Sequence, residues 1–376
     1  MKARQVLWQL AEPAVAIGLA VIVGGIGIFL LSGLVPGRQP LDAKLPIDAY
    51  GALIGGILSF NGLTSTLVYS APLILGGLGV AVGFKAGLFN IGGRGQFLMG
   101  SIGSVAVVSA IGTSAGPWIT IPLALLAGAA LGAASGFIPG FLKAVSGAHE
   151  VVTTIMLNYI LFYVSNWAIK GPLTLPRAPQ PTTHSVDTMN GALYIFPFTR
   201  DLHVGVLIAI VAVPLVWFLL YKTTLGFEIR AAGANPDAAR YAGMKTRRLI
   251  ILTMSLSGLL MGLAGSITLL GQVHQTAFGY DTGIGFDAIT VALLARSNPI
   301  GVLFSGLLLG ALRAGSPAMQ SQAGVPPDLI NALQAIILLF LIVNILRRVL
   351  ARRKAGGSTL EPAVLAAGKY STESTQ

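Results

Sequence analysis

KTTLGFEIRAAGANPDAARYAGMKTRR, residues 222–248, is a water-soluble interruption in an otherwise oily chain, with apolar runs on both sides. Six basic residues against two acidic ones place this short loop on the cytoplasmic side, where Lys and Arg are retained during membrane insertion. Within it, Asn235 and Pro236 start a short helix, Asp237 occupies its first turn, and Gly243 stops it. The expected product is a compact amphipathic helix outside the bilayer, shaped to dock into something. A loop held only by its own caps is the alternative.

Composition agrees with a membrane setting. The chain is 54% hydrophobic and 10% charged over 376 residues, which leaves no room for a sizeable soluble domain. Its net charge of +11 sits in loops and tail, where it orients the chain. No aromatic residues interleave with a basic stripe, so nucleic acid is not an expected partner. Cysteine is absent, which removes disulfides, thiolate chemistry and Cys-based metal sites.

Apolar runs near the length that crosses a bilayer, about 20 residues, recur ten times. They lie near residues 14–35, 63–83, 96–112, 117–138, 151–169, 203–221, 249–272, 284–296, 299–315 and 329–346. The fold class is therefore all-α, a polytopic helical membrane protein of about ten transmembrane helices. With Lys2 and Arg4 inside, an even number of crossings returns the chain to the inside, where Arg347, Arg348, Arg352, Arg353 and Lys354 stand. Loops 36–62 and 170–202 then face outward, and each mixes both signs of charge. Span 284–296 is short and contains Asp287, so it reads either as a crossing or as a re-entrant half-helix. The first span is too long for a signal-peptide core and lacks a following cleavage site, so it is expected to be retained. Residues 1–354 form the membrane domain, and the small, polar stretch 355–376 reads as a disordered cytoplasmic tail.

Gly128, Gly132, Gly136 and Gly140 stand four apart and predict a bare ridge along a helix, where another backbone can approach closely. Polar residues inside spans cost free energy and suggest a solute pathway or hydrogen bonds between helices. Thr153, Thr154, Asn158 and Tyr159 form one such group; Asn90 and Gln96 lie near a break at Gly92, Gly93 and Gly95. Asp287 is the one carboxylate well inside the spans, and the macrodipole would favour it in a first helical turn. A phosphate-cradling Gly-x-x-x-x-Gly-Lys-Ser/Thr loop is missing, so ATP hydrolysis is expected on another subunit. Neither a His-Glu-x-x-His helix nor a Gly-x-Ser-x-Gly elbow occurs, and no cofactor, metal or catalytic residue is expected.

Five segments in order now carry a resemblance: FNIGGRGQ (89–96), EVVTTIMLNY (150–159), AGANPDAARYAG (232–243), GFDAI (285–289) and NPIG (298–301). Together they resemble the inner-membrane permeases of bacterial ABC importers, in the group of nucleoside and simple-sugar permeases, near the branched-chain amino acid and ribose permeases. The resemblance covers roughly residues 60–320 and implies a type II-importer-like permease fold. The long first span and outer loop resemble the larger of two paralogous subunits. In similar importers the segment matching 232–243 is the coupling helix that sits in a cleft of the ATPase. That role carries over to Gly233, Asn235, Pro236, Ala238, Ala239, Tyr241 and Gly243 within the coupling loop 222–248. At Gly93-Arg94 many relatives have Ala-Glu, so no family role transfers to Arg94.

The resemblance implies a permease subunit of an ATP-driven importer, multi-pass in the inner membrane with both termini cytoplasmic. Its partners would be a second permease, a cytoplasmic ATP-binding subunit, an extracytoplasmic binding lipoprotein and the lipid bilayer. The expected solute is a nucleoside, with simple sugars such as ribose or branched-chain amino acids as alternatives. An ion-coupled carrier working alone is the reading from a different class.

Overall fold

The computed structural model describes residues 18–30, 32–35, 39–193, 196 and 201–326, with 328, 331, 332, 335, 336 and 339 beyond them. Every regular element among these is helical, and the one extended pairing is an isolated bridge between Thr182 and Ala277. The helices are α1 (Gly18–Leu30), α2 (Leu45–Leu58), α3 (Phe60–Lys85), α4 (Gly93–Ile111), α5 (Pro117–Ser146), α6 (Glu150–Lys170), α7 (Gly205–Lys222), α8 (Thr224–Ala234), α9 (Pro236–Tyr241), α10 (Thr246–Thr268), α11 (Ile284–Leu294) and α12 (Pro299–Ala323). Of the described helices, seven are long and apolar enough to cross a membrane: α3, α4, α5, α6, α7, α12, and α10 continued by one π turn, Leu269–Val273. The remaining three of the ten expected spans differ in kind. The described part of the first is short, α11 has 11 residues, and span 329–346 falls almost entirely outside the described residues. The tail 355–376 lies outside them as well.

The chain divides into two compact units, Met1–Tyr69 with Leu307–Leu360 and a second built on Ser70–Gly306. In the first, Leu45, Ala49 and Leu53 of α2 pack with Ile28, Met319, Ala323 and Val325. Residues 36–62 were expected to be an outer loop, and the structure corrects this with a helix in their midst. Pro46 fits a first helical turn, Asp48 favours it electrostatically, and Ala49, Leu53 and Ile57 then repeat at helical spacing.

The second unit is organised by glycine. α5 packs most extensively on α10, and α4 closes a three-helix contact. A Cβ on Gly132 or Gly136 would overlap the Gly258 or Met254 carbonyl, and one on Gly100 would overlap that of Gly262. The ridge expected at Gly128, Gly132, Gly136 and Gly140 therefore receives α10 at backbone distance. Hydroxyl groups add interhelical bonds there: Ser101 donates to the Gly265 carbonyl at 3.0 Å and Ser104 to that of Ala124 at 2.9 Å. Lipid tails do not drive such helices together, so close packing and these bonds must. α5 runs beyond the expected residue 138 to Ser146, where Gly147, with φ 71°, turns the chain. Lys143 and Glu150 then pair across the turn.

The loop that follows α6 clamps the segment that follows α10. Thr183 and Val186 donate backbone N–H groups to the Thr276 and His274 carbonyls, and Leu193 donates to that of Leu270. His274, held at φ 62° after the π turn, pairs with Asp187 at 2.9 Å.

Candidate functional site

The soluble loop folds as two helices rather than one. Thr223 caps α8 by accepting from the Gly226 N–H, a helix the sequence reading did not anticipate. Asn235 then caps α9, its Oδ1 accepting from the Asp237 and Ala238 N–H groups at 3.1 and 3.0 Å. Pro236 and Asp237 occupy the first turn, and Gly243 at φ 81° ends the element, as its residue types require. The outward face carries Pro236, Asp237, Ala238, Arg240 and Tyr241, of which Tyr241 is 94% exposed. Ala239 is different: its methyl is buried by the chain itself, at 3% exposure. A six-residue helix must hold on to its own protein by some side chain, and Ala239 is that one. Gly233 faces inward too, where a Cβ would overlap the Lys85 carbonyl and press on Gly87. The soluble helices thus rest on the turn that ends α3.

From that turn the chain does not begin α4 at once. Residues 88–92 run non-helically, and α4 starts at Gly93, beside Met261 of α10. Met261 lies fifteen residues past Thr246, about 22 Å along the axis at 1.5 Å per residue. Gly95 abuts Asn158, about 12 Å into α6 by the same measure. The start of α4 is therefore level with the interior of the spans α6 and α10 rather than with their ends. α11 begins at the same level, since a Cβ on Gly285 would collide with the backbone of Gly93 and Arg94. Residues 274–283 reach that point beside α6 as non-helical chain, with a turn closed by the Tyr280 N–H on the Ala277 carbonyl. The Gly279 N–H donates to Asn166 Oδ1 at 2.8 Å, and Lys170 sits 4.1 Å over the Phe278 ring. Span 284–296 is accordingly a half-helix reached through non-helical chain.

Broken backbone at this depth survives only with protein or water as partner. Here protein supplies it. Asn90 donates to Gln96 Oε1 at 3.0 Å and to Ser257 Oγ at 2.9 Å, while its own Oδ1 accepts from the Gly92 N–H at 2.9 Å. Asn158 accepts from the Gly95 N–H and donates to the Ile91 carbonyl, both at 2.9 Å. Asn90, Gln96 and Asn158 are all buried. Thr154, also buried, bonds back to the Glu150 carbonyl and presses on Gly92. The structure thus brings Asn90, Gln96, Thr154 and Asn158 into one knot that pins the break. Thr153 bonds to carbonyls of its own helix, and Tyr159 is 55% exposed, so neither joins the knot. Asp287 lies half-buried in the first turn of α11.

One feature of the break escaped the sequence. Arg94 Nη2 pairs with Asp281 Oδ2 at 2.9 Å, and its guanidinium lies 4.8 Å from the Phe162 ring centre. No spacing rule links residues so far apart in the chain. The one available signal was the charge of Arg94 inside a glycine-rich break. Among the described residues, no group of three or more His, Asp or Glu is placed to hold a metal ion.

The family model described as branched-chain amino acid transport system / permease component matches residues 62–343. The chain is 38% identical over 357 residues to the guanosine ABC transporter permease protein NupP of Bacillus subtilis, covering 94% of this chain and 99% of that one. It is 38% identical over 314 residues to the nucleoside ABC transporter permease protein NupB of Lactococcus lactis, covering 81% and 86%. Similarity of 32% over 342 residues extends to the glucose ABC transporter permease protein TsgB13 of Haloferax volcanii, covering 88% and 87%.

Proposed function

This chain belongs to the branched-chain amino acid transport system / permease component family, and on that premise we propose that it imports nucleosides as one of two permeases in an ATP-driven importer. It is a multi-pass membrane protein and a transport component of the ABC class. The observation that carries the mechanism is the contact of Gly233 with Lys85 and Gly87. Through it, a push on α8 and α9 reaches the turn that leads into the mid-membrane break. A cytoplasmic ATPase holding the exposed face of α9 would move Asn90 and the start of α4 as it closes and opens. The exposed Tyr241 and Ala238 are the surface on which it docks. An extracytoplasmic binding protein would deliver the solute.

The nucleoside reading is supported by the likeness to permeases named for guanosine and nucleosides. Simple sugars are the second reading, favoured by the relative named for glucose. Deleting the gene in its host should abolish uptake of labelled guanosine and uridine, with ribose uptake unchanged. Intact nucleoside uptake with lost sugar uptake would establish the second reading instead.

We assign loop 222–248 to the cytoplasmic side of the inner membrane on the strength of its basic residues, and both termini with it on the even number of expected crossings. Thr188 of loop 170–202 is exposed and suits a probe of the outer side. Thr188→Cys should react with an impermeant thiol reagent on intact spheroplasts, and Ala234→Cys only after the membrane is opened. The reverse pattern would invert the topology.

A further inference from the structure

Arg94 and Asp281 form an ion pair at the level where α4 and α11 begin, and their side chains are 21% and 36% exposed. Charges open to hydrocarbon at that depth are costly, so such residues face a bundle interior or a watered cavity. The surface carrying this pair therefore does not face lipid. One flank is aromatic: Phe162 lies under the guanidinium, its ring centre 4.8 Å away. Arg94 Nε is itself buried and finds no acceptor among the described residues, so contact with a solute falls to the part of the side chain that stays exposed. Asp281 Oδ1 accepts from the Gly283 N–H at 3.2 Å.

We infer that Arg94 and Asp281 are the polar contact for the solute as it passes the middle of the membrane, and that they discriminate among pentose-bearing solutes. This rests on the import reading above. A carboxylate can accept from the vicinal hydroxyls of a ribose ring, and a guanidinium edge can donate to base or sugar oxygens. Aromatic faces and the guanidinium plane both stack on a planar base. The pair is also well suited to letting go. Each charge keeps the other as partner when the solute leaves, so neither is stranded and the contact remains weak enough for passage. The knot of Asn90, Gln96 and Asn158, by contrast, is buried and already engaged with the backbone of the break, with Ser257 and with itself.

The test uses the intact importer in its host, with the chromosomal gene replaced by Asp281→Asn or Arg94→Gln. Initial uptake of labelled uridine, adenosine, guanosine and ribose is measured at saturating concentration, alongside permease abundance in the membrane and the ATPase subunit co-purifying with it. Abundance and association should stay within about twofold of wild type. Maximal uptake should fall at least tenfold in Asp281→Asn, and in Arg94→Gln the ratios between solutes should shift at least threefold. A ratio is informative because a purely structural latch would lower the rates of all the solutes this permease carries together. Equal losses across the solutes in Arg94→Gln, unchanged uptake in Asp281→Asn, or losses explained by abundance would each overturn the inference. If wild type carries ribose and no nucleoside, the nucleoside reading fails, while the loss in Asp281→Asn is still read on ribose. If the gene supports uptake of none of the four, both fail.

Discussion

Gly262→Leu should leave less than about a tenth of the normal permease folded in the membrane. Gly262 lies where three helices touch at backbone distance: a Cβ there would strike the Gly128 carbonyl and the Gly132 backbone, and the Gly262 carbonyl in turn blocks any Cβ on Gly100. Overpacking a core costs about 1–3 kcal/mol when side chains can give way. Backbone cannot, so α10 must separate from α4 and α5 along its length. The bonds Ser101 to Gly265 and Ser266 to Gly262 and Gly100 lie beside the insertion. A cost on the order of 3 kcal/mol changes a folding ratio about a hundredfold. Fluorescence-detected size-exclusion of detergent extracts reads the outcome directly. Gly55→Ala is the control, since a Cβ there meets open space within α2 and should change nothing. A sharp, full-height peak from Gly262→Leu would mean that the crossing tolerates a side chain, and the packing argument would fail.

The second large effect is expected at the cytoplasmic face. Tyr241→Ala should weaken association with the ATPase subunit at least thirtyfold and abolish uptake, while permease abundance stays normal. A tyrosine 94% exposed on a helix outside the membrane does nothing for its own fold. Aromatic side chains of this kind contribute about 2 kcal/mol or more when they fill a partner's pocket. Ala238→Asp should act in the same direction, because it would bury a charge without a counter-ion. Ala239→Asp makes the instructive contrast. Its methyl points into the permease, so that variant should lower abundance as well as association. If Tyr241→Ala and Ala238→Asp both keep full ATPase association and full uptake, α9 is a loop closed by its own caps.

Local chemistry was legible without coordinates. Asn235, Pro236 and Gly243 bounded α9 because cap, first-turn and stop residues act on their immediate neighbours. The glycines from 128 to 140 announced a close approach because their spacing matches the helical repeat. The spans of α3, α5, α6, α7 and α10 followed from apolar length alone. Orientation of side chains was less accessible: Ala238 and Ala239 look alike in sequence, and only packing turns one out and the other in.

What the sequence by itself determined is the class of molecule: a helical membrane protein with a capped soluble helix between two spans, since hydropathy, charge and capping are short-range properties. What only the tertiary structure decided is how the breaks are used. FNIGGRGQ and GFDAI each show a helix start in sequence, but neither shows that the two starts meet inside the membrane. That meeting depends on Gly93 and Gly285 lacking side chains at one contact, and on Asn158 and Ser257, from two other helices, supplying hydrogen bonds to the broken chain. The pairing of Arg94 with Asp281 is a consequence of that meeting. Partners so far apart are chosen by the packing of the whole bundle, and no local rule carries that information.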